Sequence, residues 1–328
     1  MFPIYLSITS FQDLNCLINL TECFESRILR KSTYLVQVSA VLTPGKKNTK
    51  IYKVEHLPSG KIYALKEIEA KNLEKLNEYK EEAVQLSKAQ NHANIVHFYG
   101  YYFYETMYNT YRVGLVTEFM DHWSNLEYVF RKRKQQGVYW KEREIEKMMV
   151  SFISTMSYLQ SIGICHRDIK PANLFLVPAQ GGAYHIKVID FGESKDYFHD
   201  DEGGGAGTMA TIRGTPQYLS PILWKAHVVD GNSRHATHNI FKSDVFSSGL
   251  VFYQLAAMQD VTGFNQKNHV NDGEKLITAG LTSLRKRYSE HIVEILRLML
   301  KFEERERPSF IELAKLVLTT DDIDSPAP

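Results

Sequence analysis

Apolar and polar side chains alternate in three early runs, at 34–42 (YLVQVSAVL), 50–57 (KIYKVEHL) and 61–69 (KIYALKEIE), with Pro58-Ser59-Gly60 between the last two. Alternation puts every second side chain on one face of a pleat, so these runs predict consecutive antiparallel strands joined by a Pro/Gly turn. At 72–90 the period lengthens and charges multiply, which predicts a helix, and strand-like runs return at 95–104 and 111–119. Beyond Met120 the texture is helical. The stretch 142–160 (EREIEKMMVSFISTMSYLQ) carries apolar residues at i, i+3 and i+4 spacing, as a buried amphipathic helix does. Further helical runs fall at 242–258, 289–301 and 309–318, ahead of an acidic tail ending in DDIDSPAP, while 199–208 (HDDEGGGAGT) reads as a polar, glycine-rich loop. The fold class predicted is α+β: a small antiparallel β-rich N-terminal unit with one helix and a larger, mainly helical C-terminal unit, meeting near 118–121.

Composition narrows this picture by exclusion. The 328 residues suffice for about two compact units. With 39 Lys+Arg against 38 Asp+Glu the formal net charge is +1, lacking the basic excess of a general nucleic-acid binder, so no nucleic-acid partner is expected. Cys16, Cys23 and Cys165 make neither a disulfide framework nor a zinc ligand set and read as free thiols of a reducing compartment, Cys165 as buried and inert. No run of about 18 apolar residues occurs, so no membrane span is expected. The N-terminal MFPIYLSITSFQDLNCLINL is apolar, but it has no basic start and no small-residue cleavage site, and Gln12, Asp13 and Asn15 interrupt it. An export leader is therefore not expected, and Asn19-Leu20-Thr21 reads as a chance sequon. The expected location is cytoplasmic, with the nucleus left open.

The strongest chemical signal is His166-Arg167-Asp168-Ile169-Lys170-Pro171-Ala172-Asn173, followed by Val188-Ile189-Asp190-Phe191-Gly192. Phosphoryl transfer needs a carboxylate to orient an attacking hydroxyl, oxygen ligands for Mg²⁺ and cations against the phosphates. One Asp, a Lys two positions on, an Asn five positions on and a separate Asp supply that set, and Mg²⁺ asks for no more than one or two carboxylates beside phosphate oxygens. These motifs resemble the eukaryotic protein kinases, serine/threonine class, over about residues 34–318. The resemblance implies a bilobal fold. Its expected boundaries are an extension of unassigned role at 1–32, an N-lobe at 33–117, a hinge at 118–121, a C-lobe at 122–318 and an acidic tail at 319–328.

Carried over residue by residue, the resemblance makes Asp168 the catalytic base and sets Lys170 on the γ-phosphate of ATP. It gives Asn173 and Asp190 to Mg²⁺. In Ala64-Leu65-Lys66 the lysine would hold the α- and β-phosphates, and a helix glutamate would position it. Glu81 and Glu82 compete for that part. The family wants an apolar residue four positions after the glutamate, which is Leu86 from Glu82 but Gln85 from Glu81, so Glu82 is preferred. A stack of Leu86, Phe98, Phe191 and His166 anchored by Asp244 follows from the same resemblance. The adenine pocket would be drawn by Ile51, Ala64 and Phe175, with Thr117 as a small gatekeeper and Glu118 to Met120 as hinge.

Lys170 and Gly214-Thr215-Pro216-Gln217-Tyr218 resemble the serine/threonine class, in which Thr215 would bond Asp168 and Lys170. Arg167 implies a phosphate-controlled activation segment, because a guanidinium beside the catalytic Asp receives a phosphothreonine well. Thr211 is the expected phosphosite, with Thr208 as runner-up, and an upstream activating kinase the expected partner beside protein substrates bearing Ser or Thr. Phe175 in Asn173-Leu174-Phe175-Leu176 gives a faint NIMA-related flavour.

Two positions depart from the family pattern. The phosphate-covering loop falls at 44–51 (PGKKNTKI), where Gly45 stands but Pro44, Lys46 and Thr49 replace further glycines. A stiffer or more distant lid is expected, since glycine lets backbone approach phosphate closely. Ser220-Pro221-Ile222 stands in place of Ala-Pro-Glu, which deprives Arg307 of its usual carboxylate, and a substitute carboxylate or carbonyl is expected. The basic run Arg131-Lys132-Arg133-Lys134 reads as a solvated helix face, and His235 and His238 lack companions for a metal. The leading function is transfer of the γ-phosphoryl of Mg²⁺-ATP to protein hydroxyls. The alternative is a pseudokinase scaffold that binds nucleotide or partners with little catalysis.

Overall fold

The computed structural model describes residues 36–44, 48–56, 59–106, 108–197, 208–229, 235–261, 264 and 272–317. The extension at 1–32 with Cys16, Cys23 and the sequon, loop residues 45–47, Pro58, residues 199–207 and the tail from 318 lie outside them. The chain forms two compact units, one comprising residues up to Gln90 together with Val96–Met120, the other Asn91–Ile95 together with the chain from Asp121.

The first unit is a five-stranded antiparallel sheet, β1 (Val36–Pro44), β2 (Thr49–His56), β3 (Lys61–Ala70), β4 (Phe98–Glu105) and β5 (Tyr111–Glu118), in the order β1-β2-β3-β5-β4. Helix α1 (Leu73–Lys88) follows β3, its first turn capped by Asn72, whose side chain accepts the Lys75 N–H at 2.9 Å. One stripe of α1 is buried, through Leu76, Glu82, Ala83, Gln85 and Leu86. Leu76 packs with Ala70 and Val113, flanked by Tyr79, Phe103 and Tyr111. A fully buried aliphatic side chain of this kind contributes about 1.5–3 kcal/mol, and such contacts hold the helix on the sheet. Gly114 is needed on β5 because a Cβ there would lie 2.2 Å from the Tyr102 ring of β4.

In the second unit α2 (Leu126–Gln136) begins at Asn125 and ends at Gly137, whose φ of +66° suits glycine. Next come α3 (Glu142–Ser161), β6 (Ile164–Cys165), β7 (Leu174–Pro178), β8 (Tyr184–Val188), β9 (Lys195–Asp196) and β10 (Thr208–Thr211). The chain continues through the single turn α4 (Pro221–Trp224), β11 (His235–His238), α5 (Ile240–Ala257), α6 (Gly273–Leu284), α7 (Glu290–Met299) and α8 (Phe310–Val317). Three two-stranded ladders form, β6-β9, β7-β8 and β10-β11. Helix α5 is apolar nearly all round and correspondingly buried almost throughout. Phe152 of α3 meets Phe252 of α5 edge-on at 5.5 Å and Phe310 of α8 at 6.3 Å. Among the described residues no helix is long and apolar enough to cross a membrane.

The strand expected at 95–104 starts only at Phe98, and Asn91–Ile95 ahead of it belongs to the second unit. There the Val188 N–H donates to Asn94 O at 2.8 Å, and His92 stacks on Tyr158 at 5.3 Å. The basic run on α2 is not uniformly solvated. Arg133 is half-buried, lies 3.7 Å from the Trp140 ring and bonds Glu144 at 2.8 Å, while Arg131 and Lys134 pair with Glu127 and Asp260, each at 2.6 Å.

Candidate active site

In the first unit the β2-β3-β5 register sets Lys66 between Ile51 and Leu115. Its Nζ donates to both carboxylate oxygens of Glu82, at 2.7 and 3.0 Å. Glu82 is buried on the inner stripe of α1, whereas Glu81 one residue earlier is exposed. The helical period thus separates the two glutamates that the sequence left adjacent. Of the residues expected at an adenine pocket in this unit, Ala64 pairs with Lys53 and Thr117, and Thr117 also pairs with Phe98. Glu118 is already committed locally: its N–H donates to His97 O at 2.8 Å and its carboxylate accepts the His97 N–H at 3.2 Å.

In the second unit the loop between β6 and β7 draws four predicted residues into one network. Asp168 Oδ2 accepts from Lys170 Nζ at 2.6 Å and from Asn173 Nδ2 at 3.2 Å, and Oδ1 accepts the Thr215 hydroxyl at 2.8 Å. Lys170 also donates to Thr215 Oγ1 at 2.9 Å. Asn173 Nδ2 further donates to the Asp168 carbonyl at 2.9 Å, so its amide nitrogen is turned inward and the carbonyl oxygen is the end it can offer a cation. Thr215 approaches this closely because Gly214, at φ +110°, leaves room: a Cβ there would lie 2.7 Å from the Arg167 carbonyl oxygen. Phe175 of β7 is 9% exposed.

Asp190 stands just beyond β8, and the Ile189 N–H beside it donates to Asn173 O at 3.1 Å, which ties the two motifs by backbone. Arg167 and Asp190 both have left-handed φ, +67° and +61°, although neither is glycine. Such backbone persists only where surrounding bonds over-determine it. For Arg167 those bonds come from Asp244 of α5, which accepts the His166 N–H at 2.9 Å, the Arg167 N–H at 3.0 Å and the Cys165 thiol at 3.0 Å. Burial pushes the Asp244 carboxyl up, while His166 and the bonds from Cys165, Arg167 and His166 pull it back. Burial likewise raises the Cys165 thiol, so the cysteine stays protonated. His166 and Phe191 pack with ring centroids 5.2 Å apart, and the His166 ring meets the Ile189 carbonyl at 3.0 Å.

Arg167 extends one guanidinium nitrogen to the Thr211 carbonyl at 3.2 Å and another to the Tyr197 hydroxyl at 3.5 Å. Burial pushes the Tyr197 phenol up to about 12. Its tie to Arg167 is one that sequence reasoning missed. Arg307 is 1% exposed and has found carbonyls instead of a carboxylate. It donates to Lys301 O at 2.9 and 2.8 Å, to Lys242 O at 2.9 Å and to Phe302 O at 3.2 Å. The Phe246 ring lies 4.8 Å from its guanidinium, and burial brings its pKa down to about 10.

A family model described as the protein kinase domain matches residues 44–318. The chain belongs to the protein kinase family. Among the relatives of this kinase, the probable serine/threonine-protein kinase nek2 of Dictyostelium discoideum is 27% identical over 269 residues, covering 80% of this chain and 58% of that protein. The serine/threonine-protein kinase Nek2 of Homo sapiens is 28% identical over 276 residues, 82% of this chain and 56% of that one. The probable serine/threonine-protein kinase nek3 of Dictyostelium discoideum is 30% identical over 192 residues, 58% of this chain but only 15% of its own length. The match therefore spans little more than half of these relatives, or less. The NIMA-related flavour seen at Phe175 has its counterpart in these names, and the bilobal kinase architecture in the two units described.

Proposed function

We propose that this protein kinase is a serine/threonine kinase that moves the γ-phosphoryl of Mg²⁺-ATP onto a Ser or Thr hydroxyl of a protein, under control of its activation segment. The observation that carries the reading is the Asp168–Lys170–Thr215 network. A carboxylate offers about four acceptor positions. Three on Asp168 are taken by Lys170, Asn173 and Thr215, which fixes the group in orientation and leaves room for one further donor, as a general base for a substrate hydroxyl needs. The same Thr215 belongs to the segment expected to position the substrate, so base and substrate loop are fastened together. Lys66, held by Glu82, supplies a fixed cation for phosphate.

The donors fit Mg²⁺: Asn173 presents an amide oxygen and Asp190 a carboxylate, a hard and sparse set that leaves positions for phosphate oxygens. When bound, Mg²⁺ would neutralise charge developing on the transferred phosphoryl group. Lys170 would stand against the same group, and Ile51, Ala64, Thr117, Met120 and Phe175 would meet the adenine. Because the Glu118 N–H is spent on His97, the Glu118 carbonyl and the backbone groups on to Met120 would read the adenine edge.

The scaffold alternative draws on the glycine-poor stretch at 44–51. ATP-dependent phosphorylation of a generic protein substrate by wild type and Asp168→Asn separates the two. The enzyme reading expects incorporation on Ser and Thr that the variant loses, and equal background from both proteins would leave only the scaffold.

A further inference from the structure

The sheet of the first unit has two apolar faces, and α1 covers one of them. An antiparallel sheet with one face in water alternates apolar inward with polar outward. Here strand parity gives a different picture. Residues paired across a ladder share a face, so Lys66, Ile68, Val113 and Leu115 stand together on the side where Leu76 of α1 packs. The opposite side carries Tyr52, Val54, Tyr63, Leu65, Tyr102 and Tyr104, with Tyr52 opposite Leu65 and Val54 opposite Tyr63. Val54 and Leu65 are only 3% and 6% exposed, although α1 lies on the other side. The ion pair of this outer face, Arg112 with Glu67 at 3.1 Å, is also withdrawn from water: its side chains are 29% and 14% exposed, against 47% and 45% for the surface pair Lys75–Glu78. The Tyr102 hydroxyl donates to Glu67 at 3.4 Å, and burial first, then Glu67, raises the Tyr102 and Tyr52 phenols. A face that gathers rings, aliphatic groups and a sheltered ion pair is built to carry a second layer.

We propose that residues 1–32 of this chain supply that layer, packing their apolar side chains on the outer face of β2, β3, β5 and β4 as an intramolecular cover. The surface lies wholly in the first unit, and its cover is independent of the kinase reading. Composition favours this occupant. Among residues 1–24 the only charged side chains are Asp13 and Glu22, while Phe11, Leu14, Leu17, Ile18 and Leu20 fall within ten positions. Such a stretch gains by leaving water for any apolar face within reach. Reach is given by β1, because the segment leads into Val36, which pairs with His56 of β2 at one side of the face. Four strand spacings of about 4.8 Å carry it to β4, roughly 19 Å, a distance that about six extended residues span. Tethering also decides between occupants. A linked segment meets the face at an effective concentration on the order of millimolar, which a free second copy or an unrelated apolar chain does not match. The cover makes a unit in which the sheet bearing Lys66 is packed on both sides, and opening it would wet the Glu67–Arg112 pair and the phenols around it.

The test uses the full chain with p-benzoylphenylalanine, a photo-crosslinking relative of tyrosine, in place of Tyr63 or, separately, Tyr104. The same group in place of Glu78, exposed on α1 and so on the other side of the sheet, is the control. Two sheet positions are used so that a disturbance at one leaves the other to decide. Irradiated products are mapped by mass spectrometry over a range of protein concentrations. Burying one leucine or phenylalanine side chain favours the docked state about tenfold or more. Crosslinks from the sheet positions to residues 1–32 of the same chain should therefore exceed those from the helix position by about tenfold, independent of concentration. Leu14→Asp combined with Ile18→Asp, which would press two carboxylates onto the apolar face, should cut that yield about tenfold. Crosslinks to another copy that grow with concentration would overturn the cover in favour of self-association. Sheet positions that crosslink no better than the helix position, or an undiminished yield in the doubly substituted chain, would overturn it outright.

Discussion

Replacing Arg307 by Met and Ile222 by Glu tests how this chain does without the usual carboxylate. If the missing glutamate were a defect, restoring a carboxylate at 222 would stabilise the protein, since a buried charge stripped of its partner destabilises by ~3–5 kcal/mol. The structure says otherwise. Arg307 makes four bonds to three carbonyls, those of Lys242, Lys301 and Phe302, and Ile222 is 37% exposed. Arg307→Met strips three part-buried carbonyl groups of this donor at about 1 kcal/mol each, so a loss of ~3 kcal/mol is expected. In a unit of roughly 200 residues that corresponds to a fall in Tm of about 6–12 °C. Ile222→Glu changes a partly exposed side chain whose intended partner is already satisfied, and is expected to move stability by no more than ~0.5 kcal/mol. Thermal unfolding of the two variants and the double variant measures both. An Arg307→Met protein within about 2 °C of wild type, or an Ile222→Glu protein stabilised by about 5 °C or more, would refute the carbonyl account.

Thr215→Val removes the hydroxyl that bonds both Asp168 and Lys170, and kcat/KM for protein substrate should fall roughly 10- to 100-fold, one decade per ~1.4 kcal/mol, with little change in Tm. Steady-state kinetics that matched wild type would remove Thr215 from the mechanism. Glu82→Gln takes the anion from Lys66 and should lower activity at least about tenfold, while Glu81→Gln, on the exposed side of α1, leaves it unchanged. The reverse ranking would assign the wrong glutamate. Burial pushes His92, His185 and His238 below the ordinary imidazole range. Each therefore contributes stability that is present above the unfolded value of about 6.5 and lost as pH falls through the lower folded value. Tm should drop as the solution is taken from about pH 7 to 5, and His238→Gln should lessen that drop. An unaltered slope in the variant would show that His238 is not protonated on unfolding.

Much of the first unit was legible because strands with one buried face must alternate. The runs at 50–57, 61–69 and 111–119 became β2, β3 and β5 with ends shifted by one residue at most. Helix α6, Gly273–Leu284, escaped notice. Its two glycines and two threonines are weak helix formers, and what fixes it is tertiary burial of Ile277, Leu281 and Leu284. The β10-β11 ribbon escaped for another reason, since HATH holds little apolar character and its partner lies 27 residues away along the chain, from Thr208 to His235. At the site, the roles proposed for Asp168, Lys170, Asn173 and Asp190 could be read from residue type because phosphate and Mg²⁺ demand particular atoms. The acceptors of Arg307 could not, because backbone carbonyls belong to every residue and leave no trace in composition.

The departure at Ile222 and the bonds around Tyr218 are two sides of one arrangement. The stretch from Gly214 to Trp224 must be fixed to α5 whether or not an ion pair does it. Here the Tyr218 hydroxyl donates to Gln254 Oε1 at 2.7 Å, Ser247 donates to the Tyr218 carbonyl at 2.6 Å, and Ser220 and Ser243 share a bond of 3.1 Å. Leu219, Leu223 and Trp224 pack together just behind, with Ile212 and Ala236 against them. A buried ion pair must recover a desolvation cost of several kcal/mol before it stabilises anything, whereas neutral hydroxyl and amide bonds set over an apolar cluster begin from a much smaller debt. Once those bonds position the segment, the carboxylate at 222 has no further work to do, and Arg307 serves to tie Lys242 at the start of α5 to Lys301 and Phe302 beyond α7. Ala236 in that cluster belongs to β11, so the packing that anchors the stretch from Leu219 to Trp224 also supports the strand opposite Thr211.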